Sequence, residues 1–206
     1  MHIELVEMLR CPEPHPQEHL VLSTGEMLGR MVRSGIVGCP VCRREFLIRD
    51  GIVDFGGKGK GEGGRVGTGT LPPSLFPLPD YCQTLQALLD LSGPGGIVAL
   101  LGQAGRYAEG LAALMGGIHF VGINAPGGVE ELPVLSLLEA EGLVPLRDSM
   151  ARGVVVGADV ARPPWLGEAR RVVLRGRRLV IENDRVAPEG VTRLAAAEGL
   201  WVGEKA

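Results

Sequence analysis

The sequence predicts an α/β protein, a doubly wound and mostly parallel sheet preceded by a small cysteine-bearing module. Three observations carry this expectation. The stretch G-I-V-A-L-L-G-Q-A-G-R-Y over 96–107 reads as a buried strand, a glycine turn and the opening of a helix. Sheets that bind ligands at their strand ends begin with such a unit. Beyond it, short apolar runs alternate with amphipathic ones, as parallel strands and their crossovers require. Near the start, Cys11 precedes a C-P-V-C turn at 39–42, and a tight turn of that kind aims two thiolates at one point.

The bulk numbers narrow the classes. A chain of 206 residues, 45% hydrophobic and 22% charged, supports a packed core and argues against disorder. A net charge of -3 gives no global attraction to nucleic acid, which leaves only a local basic patch. No apolar run approaches the roughly 18 residues of a membrane span, so no membrane partner is expected. The opening M-H-I-E-L-V-E-M-L-R lacks a signal-peptide layout. The expected location is therefore cytoplasmic, with thiols reduced. Four cysteines in that setting are ligands or core residues rather than disulfides.

The first unit spans residues 1–55. Leu5, Met8 and Leu9 share a helical face that leads into Cys11-Pro12, and F-L-I-R-D-G-I-V over 46–53 reads as extended chain. Cys39 and Cys42 form the specific metal signal. Proline at 14 stands where a second thiol of the first pair would be expected, and Cys11 with His15 offers one thiolate and one imidazole instead. The predicted metal set is thus Cys11, His15, Cys39 and Cys42, with zinc as the cofactor. His19 is a less well placed substitute. The competing reading is a set of buried core thiols without metal. His2 and His119 are assigned no role, and Cys82 is read as a packing residue.

The phrases L-R-C-P, C-P-V-C and F-L-I-R-D-G-I-V-D resemble the short zinc-ribbon proteins that act as activator subunits of methyltransferases. That resemblance covers about residues 3–55. It implies a ribbon that stabilises a partner, which modifies tRNA, rRNA or a release factor, and covers its apolar surface. The Gly- and Pro-rich stretch over 56–79 follows and is expected to be a flexible tether that stiffens at its prolines.

The second unit spans 80–206. Asp80 is expected to cap a helix bearing Tyr81, Leu85, Leu88 and Leu89 on one face. Strands are expected at 97–101, 118–123, 143–146, 154–156, 179–182 and 200–202. Helices are expected at 107–115, 129–141, 165–172 and 189–198. Four phrases in order, G-R-Y-A-E-G-L-A, I-H-F-V-G-I-N-A-P, L-V-P-L-R-D-S-M-A-R-G-V-V-V and E-A-R-R-V-V-L-R-G-R-R-L-V-I-E, resemble class I S-adenosylmethionine-dependent methyltransferases. The resemblance implies a Rossmann-like sheet and a cofactor held by Gly102, Gly105 and Asn124.

The same alignment shows departures. Ala99 stands at the position of an acid, Leu101 and Gln103 at two glycines, and Asn124 where an acid grips ribose hydroxyls. The expected seventh strand has no residues left to form it, which makes the predicted sheet truncated and one edge exposed. Asp148, Asp159, Glu182 and Asp184 sit near strand ends and are read as solvated loop carboxylates. Arg170, Arg171, Arg175, Arg177 and Arg178 form one basic cluster, read as a solvated helix end, with RNA contact as the sharper alternative. No catalytic residue emerges. The expected function is a non-catalytic scaffold or regulator with a protein partner or as a homo-oligomer; the alternative is an active methyltransferase with its activator fused in cis.

Overall fold

The computed structural model describes residues 1–56, 79–129 and 132–206. Most of the expected tether lies outside them. The chain begins with a short 3-10 segment, Ile3–Met8, followed by β1 (Val21–Thr24), β2 (Met27–Leu28), β3 (Met31–Val32), β4 (Gly35–Gly38), β5 (Glu45–Arg49) and β6 (Ile52–Asp54). The second half contains α1 (Pro79–Leu89), β7 (Ile97–Leu101), α2 (Ala108–Leu114), β8 (His119–Ile123), β9 (Leu135–Glu139) and β10 (Ala151–Val156). It ends with α3 (Trp165–Val172), β11 (Val173–Ile181), β12 (Val191–Ala197) and β13 (Leu200–Lys205).

One sheet of eleven strands runs through both halves, in the order β1-β4-β5-β6-β9-β8-β7-β10-β11-β13-β12. Five neighbouring strands, β9, β8, β7, β10 and β11, are parallel, and β13 closes the set antiparallel to β11. This is the doubly wound α/β order with the strand reversal at β7, and it establishes the expected fold class. The junction between halves is covalently remote but hydrogen-bonded: Ile52, Val53 and Asp54 of β6 pair in parallel with Leu137, Leu138 and Glu139 of β9.

Three expectations need correction. Residues 129–141 carry β9 rather than a helix, because Leu135, Ser136, Leu137 and Leu138 are all buried between β6 and β8. Residues 189–198 carry β12 rather than a helix. It folds back on β13 through Glu198 and Gly199, both at positive φ (52° and 78°), the conformation of a two-residue hairpin turn. That hairpin supplies the antiparallel strand expected to be missing. Residues 143–146 form no strand; Leu146 makes an isolated bridge to Leu9. What is reduced is the helical cover, since among the described residues no helix joins β8 to β9 or β9 to β10.

Period-two alternation sends neighbouring residues of β7 to opposite faces. Val98 and Leu100 pack with Cys82, Leu85 and Leu89 of α1 and Leu111 of α2. Ile97, Ala99 and Leu101 pack instead with Ala169 and Val172 of α3, with Val144 and Leu146, and with Leu5, Leu9, Val53 and Phe55 from the first fifty-five residues. The N-terminal segment thus lies where crossover helices would cover this face. Backbone bonds fasten it there: Arg147 N donates to Met8 O at 2.8 Å and Arg10 N to Pro145 O at 3.2 Å. No helix among the described residues is long and apolar enough to cross a membrane.

Candidate functional site: a filled crevice and a four-ligand cluster

The four predicted metal ligands converge. The ligand atoms of Cys11, His15, Cys39 and Cys42 all lie within 4.8 Å of one another. Cys11 Sγ is 3.6 Å from Cys42 Sγ, and Cys39 Sγ is 3.4 Å from His15 Nε2. Tetrahedral zinc, with bonds of about 2.3 Å to sulfur and 2.0–2.1 Å to nitrogen, sets its ligand atoms about 3.5–3.8 Å apart. The donor set therefore fits that ion.

The local chain explains the convergence. Arg43, at φ 60°, lets the turn close, with Arg43 N on Cys39 O and Cys39 N on Arg44 O, both at 2.9 Å. His15 Nδ1 lies 2.7 Å from Pro16 O, which fixes the ring with Nε2 facing the thiols, the usual arrangement for a ligating imidazole. Burial pushes the Cys11 thiol up to about 12. It acts in the same sense at Cys39, but amide N–H groups of Cys42 and Val41 outweigh it and bring that thiol down to about 7. His19 is not in the cluster; its ring lies against Arg147 Nη1.

The crevice at the carboxyl ends of the parallel strands is arranged differently. After β7 the chain makes a 3-10 turn, Gly102–Tyr107. Gly102 has φ +60°, and a Cβ there would fall 2.6 Å from Asp159 Oδ2. Asp159 itself follows β10 and accepts the Gln103 N–H at 3.0 Å through Oδ1. A Cβ on Gly105 would fall 2.5 Å from Ala125 Cβ and 3.1 Å from its backbone Cα. The smallness of both glycines thus serves packing by neighbouring loops. Asn124, at φ 54°, is also engaged: Nδ2 donates to Ala140 O at 2.8 Å and Oδ1 accepts Ala140 N–H at 2.9 Å. Its amide imitates one further rung between β8 and the end of β9.

Sequence reasoning missed a third group. Glu182 Oε1, just past β11, accepts hydrogen bonds from Tyr81 OH (2.9 Å), Tyr107 OH and Arg106 Nη2 (3.3 Å). Arg106 Nη1 continues to Gln103 Oε1 at 3.2 Å, and the Tyr81 and Tyr107 rings lie 5.0 Å apart. Burial, followed by the Glu182 charge at Tyr81 and the Glu182 hydrogen bond at Tyr107, holds both phenols well above their usual range. The reading of these carboxylates as solvated loop groups is corrected at Glu182, whose side chain is nearly buried, while Asp148, Asp159 and Asp184 are exposed as expected. Asp159 and Glu182 are bonded as described, Asp148 pairs with Arg171 at 2.6 Å, and Asp184 Oδ2 accepts Gly199 N–H at 3.2 Å. A tyrosine two residues past the loop glycine was a visible signal, but its partner Glu182 lies far along the chain.

No protein-family model matches the sequence, and no curated protein does either. Among solved structures, the chain resembles a protein of an antibiotic biosynthesis pathway from Anabaena variabilis, named as a methyltransferase (20% identity, 54% of this chain, 49% of that one, TM-score 0.43). It also resembles a chain from the complex containing the Haloferax volcanii Trm112 methyltransferase activator (19%, 49% and 51%, TM-score 0.40). A third is the antibiotic-resistance methyltransferase Kmr (16%, 60% and 91%, TM-score 0.43). The chain spans about half the length of the first two. These likenesses are loose, and the fold rests on the strand order itself.

Proposed function

We propose that this protein is a non-catalytic, methyltransferase-like scaffold or regulator of a partner enzyme, carrying a structural zinc in its N-terminal module. The observation that supports the reading is that the crevice's own polar groups and glycines are engaged from within the chain. Asp159 takes an amide of the glycine turn, Ala125 closes on Gly105, and Asn124 is bound to Ala140. S-adenosylmethionine needs small loop residues, free amides and an acid for the ribose, and the residues present do not fit it. Zinc fits Cys11, His15, Cys39 and Cys42, where it would tie residues 11–15 to the turn at 39–42 and so hold the N-terminal cover on the sheet.

Calorimetric titration of the folded protein with S-adenosylmethionine and S-adenosylhomocysteine tests the first half. The expected result is no heat of binding at millimolar ligand. Micromolar binding would overturn it and favour an active methyltransferase with its activator fused in cis. For the zinc, elemental analysis of protein purified without chelators should give about one ion per chain; a metal-free, folded protein would refute the assignment.

A further inference from the structure

We propose that the end of the sheet at the start of β11 is a docking platform for the sugar–phosphate backbone of a nucleic acid, held by Arg170, Arg175 and Arg177. The inference is independent of the crevice and concerns the opposite ends of the parallel strands. Its starting point is an irregularity in β11. Ala151 of β10 pairs with Val173, while Gly153 pairs with Arg178. Leu174, Arg175, Gly176 and Arg177 therefore stand opposite Arg152 alone and leave the ladder as an excursion. Gly176 at its tip has φ +66°, is exposed, and has no atom within 4 Å of where a Cβ would be. Excursions of this type re-aim side chains out of a sheet, and this one carries an arginine on either side of its tip.

The five arginines of this region divide sharply. Arg171 is engaged by Glu168, Asp148 and two carbonyls, and Arg178 by Asp90 at 2.7 Å and the Leu88 carbonyl. Arg170, Arg175 and Arg177 make no ion pair among the described residues. Arg170 is not loose, because its guanidinium lies against the backbone at Gly190, where a Cβ would meet it at 2.5 Å. Lys205 adds a fourth cation at the root of the excursion, with Nζ donating to Val173 O at 2.7 Å and Arg171 O at 3.2 Å. Asp148 faces this group, but Arg10 and Arg171 already pair with it.

Chemistry favours a phosphate backbone. Three of the four cations without an ion pair are arginines, whose planar fork matches phosphate oxygens bidentately. None of the exposed large apolar residues falls between 170 and 178, so the platform lacks the anchor that protein interfaces centre on. No aromatic side chain stands within 170–178 on which a base could stack, which points to a duplex rather than to an unpaired strand.

The test uses the full chain with a fluorescent 20-base-pair RNA duplex and a DNA duplex of the same sequence. Fluorescence anisotropy at 50 mM salt should give micromolar binding, with a log–log salt slope of roughly −3 for three neutralised phosphates. Preference between the two duplexes identifies which backbone is recognised. The triple variant Arg170→Glu, Arg175→Glu, Arg177→Glu should bind at least ten-fold more weakly while melting as the wild type does. Arg162→Glu, before the start of α3, should bind normally. The proposal is overturned by absence of duplex binding at low salt, or by a folded triple variant that binds as tightly as the wild type. Displacement by polyglutamate at equal charge concentration would also overturn it, in favour of an acidic protein surface.

Discussion

The cysteine–histidine cluster and the strand-end crevice start from the same condition, each departing from the ligand-binding pattern its sequence resembles. Set beside the families the sequence resembles, the cluster has one cysteine fewer, and the crevice has no acid at 99 or 124 and no glycine at 101 or 103. At the cluster the gap is filled by His15, whose ring nitrogen faces Cys39 Sγ at 3.4 Å. At the crevice the gap is filled by the protein against itself, with Asp159 on the Gln103 amide and Asn124 on Ala140. The contrast teaches that a missing motif residue says little alone. What matters is whether the donors that remain still point at a common empty position or have found partners within the chain.

The sharpest way to break this comparison is to attack the cluster. Cys39→Ser combined with Cys42→Ser, or chelation, should remove the tie between residues 11–15 and the 39–42 turn and uncover the face lined by Leu5 and Leu9. We expect a Tm loss on the order of 10 °C, as several kcal/mol would give in a chain of this size. Calorimetry checks it, and a Tm unchanged by chelation would show that no metal holds these thiols. Placing an acid in the crevice comes next. Asn124→Asp should set a carboxylate against the Ala140 carbonyl and cost about 1–3 kcal/mol in urea unfolding, without creating cofactor affinity. Gly105→Ala should cost a similar amount, about 1–3 kcal/mol, by collision with Ala125. If either variant gained cofactor binding, the crevice would have to be regarded as blocked rather than lost.

A third effect lies at the seam between the halves. His119 Nε2 is 2.8 Å from Ser136 Oγ, which also accepts the His2 backbone N–H at 2.8 Å. Burial, and secondarily His2, lowers the His119 pKa to about 4. Because the folded value is below the unfolded one of about 6.5, the folded state takes up the proton less readily. The contribution of His119 should be constant above pH 6.5 and fall by about 1–3 kcal/mol as pH drops towards 4, on top of the loss that the buried Met1 amine, itself lowered to about 5, brings as pH falls below 8. His119→Gln should make that profile shallower, and an unchanged slope would place the titration elsewhere. The smallest expected change is Tyr81→Phe, which removes one of three donors on Glu182 and should cost about 0.5–1.5 kcal/mol. A larger loss would mean that the network, rather than Leu85 and Leu89, holds α1 in place.

The sequence made parts of this legible and hid others for identifiable reasons. The strand over Ile97–Leu101 was visible because five apolar residues sit between glycines, and all five are buried. The convergence of Cys11, His15, Cys39 and Cys42 was legible because tight turns hold side chains at fixed short spacing. β9 was not visible. V-E-E-L-P-V-L-S-L-L-E-A-E has helix-forming composition, and only its neighbours β6 and β8, which are distant in the chain, make it a strand. β12 was hidden by T-R-L-A-A-A, though the following Glu198-Gly199 pair before L-W-V-G-E-K was a two-residue hairpin signal that alanine content obscured. At the crevice, the acid-to-amide exchange at 124 could be read as a loss of charge. Its use as a backbone clamp depended on where Ala140 lies.

The parallel pairing of β6 with β9 also sets an order of events on the ribosome. Ile52 leaves the tunnel long before Leu137, and β9 in turn needs β8 as its other neighbour. The half-built sheet β1-β4-β5-β6 must therefore exist for a time with an open side that bears Val53 and Phe55. Loops of this length close slowly relative to local hairpins, so the nascent N-terminal piece waits with that side uncovered. A metal bound early by Cys11, His15, Cys39 and Cys42, all of which emerge before β6, would give that piece something to fold around while it waits.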